Sequence, residues 1–336
     1  MKYIIQINNT IKSLSFIGWL CAVSIVLLYN YLYSFSYLPM TEGWFTVYAK
    51  LMNNGLVPYR DFYLYLTPLY PLLIANFILL FGDSFFALRL LGFLITLIIT
   101  TLLFLILLKR FKPASAMFST VVSMFYYQSG VAHISYDFTQ ILTAFTLASA
   151  LMLILLSNIK ERDFESHKAR IITYLVLSGM FSSLAFFIKQ SNGSMIAIAS
   201  AIAASYVVYS NYKNNLRIII YYILGSSIPF FFIFSWLFYE SALMNFTDQI
   251  FTEAISAKGN LSHILLGWLK GLFNNTFYLQ FKTILIWFIK LSFISLVTYY
   301  ISNKIIFSKN LKFKYLYIFI LSALLLLSMF NSYYDY

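Results

Sequence analysis

Residues 66–82 read LTPLYPLLIANFILLFG, and the reading of this run decides the topology of everything after it. A helix rises 1.5 Å per residue, so about 20 apolar residues are needed to cross a hydrocarbon core roughly 30 Å thick. The run falls just short of that. Pro68 and Pro71 mark a helix start rather than an interior, because a proline in the first turn sacrifices no intrahelical hydrogen bond. Two readings follow, a short span or a helix lying where lipid meets water, and the neighbouring sequence has to choose between them.

Those neighbours are oily. The 336-residue chain is 61% apolar and 10% charged, with a mean hydropathy of +0.80, against about 25% charged residues in an average soluble domain. Composition alone therefore places it in the membrane class. Runs that meet or nearly meet the length of a span lie at 14–35, 84–108, 114–131, 138–157, 171–188, 194–210, 218–239, 283–302 and 315–331. They are continuously apolar instead of alternating with a period of two, which selects helices over barrel strands. The predicted fold is all-α: a polytopic membrane bundle of about 9 transmembrane helices, with interfacial helices in the first and in a later outer loop. Lys2 and Lys12 precede the first run, but that run is too long for a signal peptide and lacks a small-residue cleavage site, so it is read as an uncleaved span.

The basic residues arbitrate. With 66–82 left uncounted as a span, the N-terminus, Lys109–Lys112 and the loops 158–170, 211–217 and 303–314 fall on one side and hold 15 of the 23 basic residues. Eight of the 11 acids (Glu42, Asp61, Asp83, Asp137, Glu240, Asp248, Glu253 and Asp335) fall opposite. Lys and Arg concentrate in cytoplasmic loops, so 66–82 is expected at the outer interface of a cell membrane, N-terminus cytoplasmic and C-terminus outside. The net charge of +12 is then a property of cytoplasmic loops, and no nucleic acid partner is implied. Cys21 is the single cysteine and His133, His167 and His263 lie far apart, so there is no disulfide framework and no His/Cys metal spacing. No cofactor is expected; a divalent metal held by carboxylates alone is the one arrangement the composition leaves open.

The chain reads as a single domain, 1–336, with two large outer segments, 36–83 and 240–282. In the second, Ile264-Leu265, Trp268-Leu269 and Leu272-Phe273 recur at the spacing of an amphipathic helix. The mixed-charge inner loop NIKERDFESHKAR (158–170) reads as a solvated connector.

The first outer segment is a polar island: Thr41-Glu42-Gly43-Trp44, then Asn54-Gly55-Leu56-Val57-Pro58-Tyr59-Arg60-Asp61-Phe62, then Thr67-Pro68-Leu69-Tyr70-Pro71. Asn54-Gly55 and Pro58 break the helix before them, giving a fold-back that can bring Glu42 and Asp61 together. Either carboxylate suits a general base toward an acceptor hydroxyl or amine. Arg60 presents a fork of N–H donors matched to phosphate, or it pairs with Asp61 and caps local helices; both readings stand. His133, Tyr136 and Asp137 form a second outer cluster, with His133 read as a satisfied interfacial histidine. Lys189 and Gln190 form a third, where Lys189 either snorkels or neutralises a lipid phosphate. Arg89 lies one turn into the second span and either serves the loop or anchors it. Trp44, Trp268 and Trp287 are read as interfacial anchors.

An acid after the first span, the run Gly55-Leu56-Val57-Pro58-Tyr59-Arg60-Asp61-Phe62, the Pro68–Gly82 helix and the entry Ala87-Leu88-Arg89-Leu90 occur here in a telling order. The pattern resembles the integral-membrane GT-C glycosyltransferases, of the protein O-mannosyltransferase and lipid A aminoarabinose transferase type. It is clearest over 38–110 and weaker through Ser135-Tyr136-Asp137 and Phe187-Ile188-Lys189. The resemblance implies transfer of a sugar from a polyprenyl-phosphate donor to a glycan, lipid or protein acceptor of the cell envelope, beside the bilayer. It makes Glu42 and Asp61 the catalytic candidates, and Tyr59, Arg60, Arg89, Asp137 and Lys189 the candidates for binding substrate. Two departures stand out. The first-loop acidic pair of such families reads Thr41-Glu42 here. The chain also stops at Tyr336, shorter than such families usually run, which is read as a short member or a truncated frame.

Two other classes compete: a transporter or flippase of a lipid-linked glycan, and a non-catalytic membrane subunit. Transporters set polar groups near the membrane midplane, often in repeats. Here they collect at the outer ends of spans, apart from Lys290, and no repeat is present, which favours the enzyme.

Overall fold

A computed structural model describes residues 2–33, 40–130 and 138–253. Among them every regular element is helical: α1 (Lys2–Tyr33), α2 (Met40–Asn53), α3 (Leu69–Phe81), α4 (Phe85–Leu108), α5 (Pro113–Gly130), α6 (Phe138–Ser157), α7 (Phe164–Ile188), α8 (Gln190–Asn211), α9 (Ile219–Tyr239) and α10 (Leu243–Thr247). Six helical stretches are long and apolar enough to cross a membrane: Ser13–Leu32, Phe86–Leu108, Phe138–Ser157, Glu161–Ile188, Gln190–Asn211 and Lys213–Tyr239. These match six of the nine predicted runs. A seventh, 114–131, is helical as α5, but its apolar part, Pro113–Phe125, is shorter. The runs 283–302 and 315–331, and the amphipathic stretch after residue 253, lie outside the described residues. The protein is a polytopic all-α membrane bundle. Residues through Phe246 belong to one compact unit; Thr247–Glu253 belong to a second and contribute a π-helical turn, Asp248–Glu253.

Side-chain contacts show which helix ends lie together. Trp19 Nε1 donates to Thr101 Oγ1 at 3.1 Å, so the middle of α1 lies beside the late half of α4. Tyr29 and Phe125 rings are 4.6 Å apart, which puts the end of α1 beside the end of α5. Tyr127 Oη and Thr143 Oγ1, 3.0 Å apart, join the end of α5 to the start of α6. Lys189 Nζ lies 4.0 Å from the Phe138 ring centroid, and Tyr70 and Phe138 rings are 6.0 Å apart. The starts of α3, α4 and α6 and the ends of α1, α5 and α7 therefore share one end of the bundle. Residues 66–82 begin and finish at that end. Their helix, α3, has 13 residues, a length of about 20 Å, and it does not cross.

At the opposite end Tyr212 Oη donates to the carbonyls of Leu156 and Ile159, and Glu161 accepts from the Asn214 N–H. The helix α7 starts at Phe164, seven residues before the apolar run 171–188, because the Glu165–Arg170 turns are helical but polar. Hydropathy marks the part of a helix suited to lipid, not where it ends.

Between helices the packing relies on small residues. A Cβ at Gly179 would overlap the Tyr222 carbonyl, and one at Gly225 would overlap the Val176 backbone, so the two backbones cross in direct contact. Around the crossing, Ser149 Oγ lies 2.8 Å from Ser178 Oγ and 2.7 Å from Ser200 Oγ, linking α6, α7 and α8. Ser182 Oγ pairs with Tyr222 Oη at 2.9 Å. Small and hydroxyl residues are what membrane helices use where no hydrophobic effect drives them together.

Candidate active site

The polar turn between α2 and α3 is built from its own hydrogen bonds. The α2 helix is closed off at Gly55, two residues past its end and with φ of +85°, where the Gly55 N–H reaches the Met52 carbonyl and the Leu56 N–H reaches the Leu51 carbonyl. This pairing is the glycine-terminated cap that uses up a helix's last carbonyls. The chain then tightens between Pro58 and Phe62, with the Tyr59 N–H donating to the Phe62 carbonyl at 2.9 Å.

Tyr59 is the pivot. Its φ of +71° is the left-handed region that L residues with side chains rarely occupy. It is 2% exposed. The surroundings hold it there: its hydroxyl donates to the Leu66 carbonyl at 2.6 Å, and its ring meets Phe246 edge-on at 5.1 Å. Burial pushes its phenol well above the ordinary tyrosine range, so it is a donor and not a base.

Arg60 and Asp61 face each other in a fork. Arg60 Nε donates to Asp61 Oδ1 at 3.0 Å and Nη2 to Oδ2 at 2.9 Å, while the Val57 N–H reaches Oδ2 at 2.7 Å. Arg60, and after it the Val57 N–H, hold the Asp61 carboxyl below the usual carboxylate range. Both oxygens are engaged, and a carboxylate so stabilised as an anion is a weak proton acceptor. The third nitrogen, Nη1, donates to the Glu240 carbonyl at 3.1 Å and approaches its carboxylate at 3.4 Å.

The rest of the turn is stitched to the bundle. Thr67 Oγ1 donates to the Phe186 carbonyl at 2.9 Å and Gln190 Nε2 to the Tyr65 carbonyl at 2.9 Å. On its other flank Lys50 Nζ pairs with Asp83 at 2.7 Å. The junction these bonds reach is a one-residue break: Lys189, extended at φ −156° and ψ 114°, separates α7 from α8. Gly193 permits it, since a Cβ there would overlap the Ala185 carbonyl. Lys189 rests its ammonium on Phe138, which belongs to an aromatic cluster with Phe45 and Tyr70. Arg89, 3% exposed, lies one turn into α4, whose start shares this end of the bundle.

Glu42 lies in the first turn of α2, not in irregular chain. Asp137, with His133 and Tyr136, lies outside the described residues. Among the described residues no three His, Cys, Asp or Glu side chains converge as metal ligands.

The geometry brings Tyr59, Arg60 and Asp61 together in one turn and sets Lys189 and Arg89 at the same end of the bundle. Sequence reading missed Glu240 and Asn245 as partners of this turn. They follow it by about 180 residues, as the Arg60–Glu240 bond shows, and only folding makes them neighbours. It also missed the strain at Tyr59, for which Pro58 beside a fold-back was the available signal.

The dolichyl-phosphate-mannose-protein mannosyltransferase family matches residues 66–239, more than half of the chain. Arg89, Asp137 and Lys189 fall within the matched stretch, and Glu42 and Tyr59–Asp61 precede it. No curated protein and no solved structure matches the chain.

Proposed function

Since the chain belongs to the dolichyl-phosphate-mannose-protein mannosyltransferase family, of GT-C type, we propose that it moves a sugar from a polyprenyl-phosphate donor to a cell-envelope acceptor on the outer face of the cytoplasmic membrane. Membership implies glycosyltransferase activity, a lipid-linked donor and a membrane setting. The observation that carries the finer reading is the gathering of the Tyr59–Thr67 turn, the Lys189 break and the start of α6 at one end of the bundle. A donor with its tail in lipid and its phosphate at the interface would meet them there.

In this reading an acceptor hydroxyl or amine attacks the anomeric carbon as the bond from that carbon to the phosphate oxygen breaks. Polyprenyl phosphate leaves with the bonding electrons, and the acceptor's proton passes to a carboxylate. One displacement inverts the anomeric centre. Of the two candidate bases, Glu42 is assigned the proton, because Asp61 spends both oxygens on Arg60 and Val57. Lys189 and Arg89 are assigned the charge that develops on the phosphate. Tyr59, Arg60 and Asp61 shape the wall of the site, and Asp137 is retained as a substrate-binding candidate. A transporter would place its polar groups at mid-depth, whereas this helix break lies at the end of two spans.

The test is purified protein supplied with polyprenyl-phosphate sugars and membrane or glycan acceptors. Transfer with inversion is expected from wild type. Glu42→Gln should lower it by about 10³-fold or more, within the range of general-base catalysis, at unchanged folded yield. Wild-type turnover in that variant removes Glu42 as the base, and no transfer from any donor removes the enzyme reading. Cysteine labelling should find position 61 accessible from outside and position 309 from inside; the reverse overturns the sidedness.

A further inference from the structure

The turn between α2 and α3 is not held by its own chain alone. Past the end of α9 the chain makes a second tight reversal, with Ser241 at φ +55° and its N–H on the Phe238 carbonyl, while the Ala242 N–H reaches the Leu237 carbonyl. This elbow aims three groups at the turn. Glu240 offers its carbonyl and its carboxylate to Arg60 Nη1, at 3.1 and 3.4 Å. Asn245 Nδ2 donates to the Tyr59 carbonyl at 3.1 Å, and Phe246 closes over the Tyr59 ring at 5.1 Å. The carbonyl Asn245 captures belongs to Tyr59, the one residue of the turn other than glycine with a left-handed backbone. Such a conformation is strained and persists only where surrounding contacts over-determine it.

We infer that Glu240 and Asn245 are positioning residues for the transfer reaction, fixing the Tyr59–Asp61 turn against the elbow so that Arg60 acts as a clasp between two segments and not as a ligand of the donor phosphate. The reaction half of this inference rests on the glycosyltransferase reading; the clasp half does not. Arg60 has three of its nitrogens committed, with a carboxylate on either side, Asp61 and Glu240. A guanidinium so neutralised has little charge left for a phosphate, whereas cutting either tether lets the strained turn relax. Displacements of about 1 Å at a reacting centre cost on the order of 10²-fold in rate.

The experiment pairs a kinetic with a non-kinetic readout in the full chain, using Glu240→Ala, Asn245→Ala and the conservative Glu240→Gln. In the transfer assay the two alanine variants should lose about tenfold or more in kcat with the donor KM within twofold, and Glu240→Gln should recover most of the loss. Were Arg60 the phosphate ligand, freeing it from Glu240 would leave kcat intact and lower the donor KM, which overturns the inference. Independently of activity, trypsin cleavage after Arg60 should be at least about tenfold faster in both alanine variants, with Glu240→Gln near wild type. Cleavage at the wild-type rate in Glu240→Ala overturns the clasp whatever the assay shows. Faster cleavage with a wild-type protein that transfers nothing confirms the clasp and refutes the enzyme reading.

Discussion

At the α7–α9 crossing two backbones touch because Gly179 and Gly225 have no side chains to keep them apart, and the buried polar atoms nearby are hydroxyls that answer one another. At the Tyr59–Thr67 turn the reverse device operates. The backbone is irregular and its carbonyls are caught one by one by long side chains: Tyr59 takes Leu66, Gln190 takes Tyr65 and Asn245 takes Tyr59. The crossing is an apolar interface with polar spots; the turn is a polar structure with apolar anchors. Helices in lipid satisfy their own backbone, whereas irregular chain must find outside partners for every group. Substitutions at the crossing should therefore register as lost stability, and substitutions around the turn as lost rate.

The largest effect that would sharpen this contrast is Gly179→Val. Because its side chain would overlap the Tyr222 carbonyl, the crossing must open, at a cost of about 3 kcal/mol or more. A lowered thermal midpoint and loss of monodisperse protein in detergent should report it. An unchanged midpoint would mean that the two backbones do not touch. Next comes Lys189→Met, which keeps the stem over Phe138 and removes the charge. Transfer should fall by about 10- to 100-fold, somewhat below the loss of a fully dedicated oxyanion donor, with the midpoint unmoved. A fall in the midpoint with unchanged rate would move Lys189 to the structural side of the comparison.

Ser149→Ala breaks the hydroxyl link among α6, α7 and α8 and should cost about 1 kcal/mol, the usual worth of such bonds in a membrane interior. Transfer should stay as it was. The smallest effect concerns pH. Asp61 has its carboxyl held low in the folded state by Arg60 and the Val57 N–H. A depressed folded value means that its contribution is present above the unfolded value of about 3.9 and is lost as pH falls through the lower folded one. The midpoint difference between wild type and Asp61→Asn should thus be flat from neutral pH to about 5 and shrink only below about 4. A difference that vanishes already at pH 6 would place a different group in control of the turn.

Much of the bundle was legible because hydropathy is a local signal. Six predicted runs recur as helices long enough to span, and the reading of 66–82 as no span came from Lys and Arg counts in loops far from it. The short reach of Pro113–Phe125 was not legible, since the polar Tyr126–Gly130 end is helical all the same. Within the site, the fold-back was visible in Gly55 and Pro58, and the Arg60–Asp61 pair was one of two readings a neighbouring cation and anion allow. What could not be read was the third partner. Glu240 looked like one outer acid among eight, because nothing at position 240 records which turn it will face.

One extended residue joins α7 to α8, and that bears on how precisely a cation can be aimed. A single residue supplies two soft backbone torsions, and Gly193 packed on Ala185 leaves little room to use them. The Cα of Lys189 is therefore a vertex whose coordinates are set by the axes of two long rods. Its ammonium searches space through its own side-chain torsions alone, like an arm on a fixed mount. A charge carried on a loop of ten residues would have to be found anew at each encounter; this one is held in register by the two helices that meet at it.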